Sequence, residues 1–158
     1  MKKIIKFSII CLTAIFFLAS NSCKEDSDTT KPVINLTEPE DGDILQIGDV
    51  NGVHLDMELS DNEALASYKI EIHPNFDNHS HAQARDVSET VDFTFNKEWN
   101  DIRGKKNADI HHHEIKIPEN ATPGHYHLMV YCTDVAGNES HVAVSVELSH
   151  EEGEPHND

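Results

Sequence analysis

The amino-acid sequence predicts an all-β domain in which about seven antiparallel strands form two packed sheets. Three observations carry this. Period-two alternation of apolar and polar residues recurs along the chain, while few stretches show the 3.6-residue period of a helix. Turn signals separate the alternating runs: Asp41-Gly42, Gly48-Asp49, Ser60-Asp61-Asn62, Pro123-Gly124 and Ala136-Gly137-Asn138. Each run has one apolar face, which a lone sheet would leave in water and two facing sheets bury.

Lys31 to Pro39 is a proline-started first strand, suited to a sheet edge because proline gives no hydrogen bond to a ladder. Val53, Leu55, Met57 and Leu59 alternate with His54, Asp56 and Glu58 in the second. Tyr68, Ile70 and Ile72 define the third. Val91, Phe93 and Phe95 define the fourth, with an extension toward Trp99. Ile115 and Ile117 belong to the fifth, which Pro118 ends. Tyr126, Leu128, Val130 and Cys132 make the sixth, and Val142, Val144, Val146 and Leu148 the seventh.

The domain is preceded by an export segment. Lys2, Lys3 and Lys6 flank an apolar run from Phe7 to Leu18, about twelve residues long where a bilayer span needs about 20. A cationic start, a short apolar run and then small residues read as a signal peptide over 1–22. Leu18-Ala19-Ser20-Asn21-Ser22-Cys23 resembles the lipobox of bacterial lipoproteins, with Ser20 in place of the usual leucine. That resemblance makes Cys23 the lipidated first residue of the mature chain. Residues 23–30 are charged and lack large apolar side chains, the composition of a flexible tether. Lys24-Glu25-Asp26 resembles the surface-export signal of some Gram-negative lipoproteins, which implies an outer-membrane address facing outward. The sandwich is expected over 31–149, and 150–158 as a disordered acidic tail.

Charge narrows the partners. The chain carries a net −17, and losing the three signal lysines takes the mature form to −20. Such a protein does not hold nucleic acid by charge, and cations are its natural small partners. With Cys23 acylated, Cys132 has no partner for an intramolecular disulfide, and its apolar neighbours suit a buried, inert thiol.

The last third resembles the closing hairpin of bacterial Ig-like repeats. Gly124-His-Tyr126-His-Leu128, then Asp134-Val-Ala-Gly137-Asn138, matches a G-x-Y-x-L strand followed by a D-x-x-G-N turn. The resemblance implies an Ig-like β-sandwich and makes Tyr126 the candidate corner tyrosine of such folds. The whole mature chain is also similar to a group of uncharacterised Gram-negative lipoproteins with one such domain and a histidine-rich motif. That similarity rests on Lys31 to Ile34, Tyr68 to His81, His111 to His113 and Ile117 to His127. It implies a fold and no settled activity.

Twelve histidines set the chain apart. On a strand, residues i and i+2 point the same way, so His-x-His offers two imidazoles to one metal. The pattern occurs at His79-x-His81, His111-x-His113 and His125-x-His127, and His73, Asp77, His79 and His81 lie within nine residues. Imidazole with carboxylate suits zinc or copper. In an Ig-type sandwich His73, His79, His81, His125 and His127 are expected at one end. His111, His112 and His113 then form a second site at the other end, with His141 as a candidate companion; a different strand course between Ala82 and Asp109 would merge the two into one cluster. Asp41-Gly-Asp43 and Asp61-Asn-Glu63 are oxygen-rich but lack the spacing of a dedicated calcium loop, and read as plain turns.

The favoured reading is an outer-membrane or cell-surface lipoprotein that binds zinc or copper through clustered histidines. Its partners are the membrane, the metal ion and an envelope protein or transporter. The alternative is an Ig-like adhesion module, or one binding a glycan or protein, without a metal role. An enzyme is not expected, because no separate general base accompanies the histidines.

Overall fold

The fold is that of a computed structural model, which describes residues 27–75 and 90–151. The described residues form eight strands: β1 (Val33–Glu38), β2 (Ile44–Gln46), β3 (Val53–Ser60), β4 (Leu65–Pro74), β5 (Phe95–Trp99), β6 (Asn107–Ile115), β7 (Gly124–Asp134) and β8 (Glu139–Ser149). They form a three-stranded sheet in the order β1-β3-β6 and a five-stranded sheet in the order β2-β8-β7-β4-β5. This is an Ig-like β-sandwich. The described residues include no helix long and apolar enough to cross a membrane. The candidates Cys23, Asp77, His79 and His81 lie outside the described residues.

Alternation explains the core. Leu55, Met57 and Leu59 of β3 face Ile70 and Ile72 of β4 and Tyr126, Leu128, Val130 and Cys132 of β7, all essentially without exposure. Fully burying one such side chain is worth about 1.5–3 kcal/mol. The proline-started strand is an edge, as its first residues suggest, because among the described residues β1 pairs only with β3. Cys132 is buried, and burial, followed by the charges of Asp61 and Asp134, pushes its thiol up to about 12.

The corner tyrosine is realised. Tyr126 is fully buried and its hydroxyl donates 2.8 Å to the carbonyl of Thr122, four residues upstream, which pins the turn entering β7. The Phe93 amide donates to the same hydroxyl at 3.3 Å.

Three details differ from the sequence expectation. An eighth strand, β2, runs parallel to β8 from Ile44↔Glu147 to Gln46↔Ser149. At three residues, with Ile44 partly exposed, it is too short to show alternation. The fourth expected strand pairs only over Phe95–Trp99, while Val91 makes an isolated bridge to Ala121. The fifth begins at Asn107, because Ala108 and Ile110 face the core ahead of the histidines. Ile117 is buried but lies beyond the strand. A histidine at 112, where the inward face would ordinarily carry an aliphatic residue, hid that alternation.

Candidate metal site

β3 and β6 pair antiparallel across the smaller sheet. Asp56 lies opposite His111, and Leu55 opposite His112. The ladder then shifts register before Val53 meets Ile115, so His113 and Glu114 together oppose His54. A bulge of this kind bends its strand and re-aims side chains. Gly52 makes it possible. Its φ of +85° suits glycine, and an added Cβ would fall 2.5 Å from the His113 carbonyl oxygen and 2.8 Å from that of Ile115.

The result is three imidazoles on one outer face: His54, His111 and His113 offer ligand atoms that all lie within 4.8 Å of one another. His54 Nε2 and His111 Nδ1 are 3.3 Å apart. Two nitrogens on a tetrahedral zinc, each at about 2.0–2.1 Å, stand about 3.3 Å apart, so this pair already has a ligand spacing. The His54 and His113 rings stack at 4.9 Å, and His111 meets each of them edge-on. Asp56 Oδ2 lies 3.8 Å from His111 Nδ1, a carboxylate at the margin of the group. His111 and His113 are exposed, so a metal held here keeps an open coordination position toward solvent.

His112 does not join them. It points to the other side of β6, where its ring packs 5.0 Å from that of Trp99 and its Nε2 is enclosed with no hydrogen-bond partner among the described residues. Burial first of all pulls its pKa down. Next to it Glu114 receives hydrogen bonds from Lys97 and from Trp99 Nε1 and links β6 to β5, and the Lys97 contact holds its carboxyl below the usual range. His141 is elsewhere too, opposite Tyr131 in the larger sheet with their rings 5.7 Å apart.

His73 and His127 are direct register partners on β4 and β7, with rings 5.6 Å apart. The Asn75 side-chain amide lies 2.8 Å from His127 Nε2, and the Asn75 backbone N–H donates to the His125 carbonyl. His125, exposed and opposite Glu147, completes the end of the sandwich where sequence reasoning placed these three.

His54 is the residue that sequence reasoning missed. It reads there as an ordinary polar member of an alternating strand, and only the β3–β6 register sets it against the His111-x-His113 pair.

Fold and site together define a small Ig-like sandwich that displays a histidine cluster on the solvent face of its three-stranded sheet. The chain belongs to the family described as Domain of unknown function (DUF4625), which matches residues 20–149 and so spans the whole sandwich. No curated protein matches it in sequence.

Proposed function

We propose that the protein is a cell-envelope lipoprotein that captures a transition metal, zinc or copper, through clustered histidines. The observation that carries this reading is the convergence of His54, His111 and His113 within 4.8 Å. Neutral imidazoles are strong ligands for both metals, and three with an open fourth position hold an ion that a partner can still reach. The net charge of −17 favours the approach of cations. Capture fits better than catalysis, because two of the three ligands stand exposed rather than in a water-excluding cleft. Anchoring through Cys23 rests on the lipobox resemblance, and an outward-facing outer-membrane address on Lys24-Glu25-Asp26.

Isothermal titration of the purified chain with Zn²⁺ and Cu²⁺ tests the reading. The expected result is binding tighter than roughly 10 µM, about −7 kcal/mol, that weakens when His54, His111 and His113 are replaced by alanine. Absence of such binding overturns it. Labelling with a radioactive fatty acid tests the anchor, and label retained in Cys23→Ala would exclude that cysteine.

A further inference from the structure

A second cluster, of different chemistry, lies where the lead-in to β1 meets two turns of the sandwich. Asp28 precedes β1, Asp61 follows β3, and Asp134 ends β7; their carboxylates offer oxygens within 4.8 Å of one another. One oxygen of Asp28 and one of Asp61 accept hydrogen bonds, and so do both oxygens of Asp134. Asp28 Oδ1 accepts from the Thr30 amide at 2.9 Å and Asn62 Nδ2 at 3.2 Å. Asp61 Oδ1 accepts from the amides of Glu63 and Ala64 at 2.9 and 2.8 Å. Asp134, only 2 % exposed, accepts from the backbone and side chain of Asn138 at 2.7 Å each.

The remaining oxygens of Asp28 and Asp61 are what point to a ligand. Both Oδ2 atoms are enclosed and have no hydrogen-bond partner among the described residues. An enclosed carboxylate oxygen without a donor bears its full desolvation cost. None of the three aspartates is in an ion pair among the described residues. A cation shared among them removes the desolvation cost and the mutual repulsion together.

We propose that Asp28, Asp61 and Asp134 form a calcium site that clasps the lead-in segment to the end of the sandwich. The donors are all oxygen, the set preferred by a hard cation. Calcium binds oxygen at about 2.3–2.6 Å, so ligands on opposite sides of one ion stand about 4.8 Å apart, the limit within which these oxygens fall. The open depression beside them, edged by Asp28, Thr29, Asn62 and Glu63, leaves room for the waters that fill a coordination shell of 6–8. The lead-in is already held by Asn138 Nδ2 donating to the Asp28 carbonyl and by Ser140 Oγ donating to that of Pro32. A bound ion adds a tie from this segment to the turns after β3 and β7. How the domain is then carried on its stalk rests on the lipid-anchor reading; the ion site itself does not.

The test is titration of the purified full chain with Ca²⁺, by calorimetry and by thermal melting, beside Asp28→Asn and Asp61→Asn. Asparagine keeps the hydrogen-bond acceptor at Oδ1 and removes the charge, and far-UV circular dichroism checks that both variants fold. The wild type should bind one ion with a Kd on the order of 10⁻⁴ to 10⁻³ M or tighter, and saturation should raise Tm by about 5 °C. Both variants should lose at least tenfold in affinity, while alanine at His54 and His111 leaves Ca²⁺ binding unchanged. No binding at about 10 mM Ca²⁺ overturns the proposal. Wild-type affinity in both variants overturns the assignment, and an equal response to Mg²⁺ overturns the choice of calcium.

Discussion

His54 on β3 and His111 on β6 are 57 residues apart in sequence, yet Nε2 of one lies 3.3 Å from Nδ1 of the other. Strand pairing alone makes this contact, since Asp56 opposite His111 and Leu55 opposite His112 leave His54 facing the bulge. The metal reading stands on that register, and so do several measurable consequences.

Replacing His54 by alanine should lower Zn²⁺ affinity at least tenfold, as loss of one of three ligands requires. The same change at His141 should leave affinity unaltered, because that ring sits beside Tyr131 in the other sheet. Calorimetry on the two variants compares them directly, and equal losses would contradict the site.

Imidazole binds metal only when neutral, so Zn²⁺ affinity should fall as the solution is acidified. A titration series from pH 7.5 to 5.5 checks this. Constant affinity across it would argue for carboxylate ligands instead.

Gly52 should tolerate no side chain. In Gly52→Ala the φ of +85° is strained and the new Cβ meets two carbonyl oxygens of the bulge. The expected cost is about 2–4 kcal/mol, read as a shifted midpoint in urea unfolding. Zn²⁺ affinity should weaken with it, because His113 is carried on the displaced backbone.

Tyr126→Phe removes a buried hydroxyl and leaves the Thr122 carbonyl without that donor. A loss of about 1–3 kcal/mol is expected. Chemical denaturation of the variant measures it, and a change within error would show that the corner bond does not hold the fold.

Cys132 contributes to the alkaline pH dependence of stability. Its thiol, with an ordinary value of 9.0, is pushed up to about 12 in the folded protein, mainly by burial. The unfolded chain therefore loses this proton first. The contribution is complete below pH 9 and is lost as pH rises from 9 toward 12. Melting at pH 8 and pH 10 should show a smaller decline for Cys132→Ala than for wild type. In a Cys23→Ser variant lacking residues 1–22, a thiol reagent at pH 8 should label Cys132 only after unfolding.

The sandwich was largely legible in the sequence, since alternation in β3, β4, β7 and β8 reports directly which side chains meet water. The tyrosine corner was legible as well, because the G-x-Y-x-L strand and its turn are local. β2 was not, being too short to show a period. Nor was the start of β6, where His112 occupies an inward position beside Trp99.

By itself the sequence determined the fold class, the anionic charge, the export-like start and the abundance of histidine, all properties of composition or of near neighbours. Tertiary structure alone decided which histidines meet. It set His54 with His111 and His113, turned His112 away, kept His141 in the other sheet, and drew Asp28, Asp61 and Asp134 together from the lead-in to β1 and the ends of β3 and β7. The physical reason is that a ligand set depends on inter-strand register and on bulges. These are fixed by how whole apolar faces pack, and the spacing of residues along one strand does not contain them.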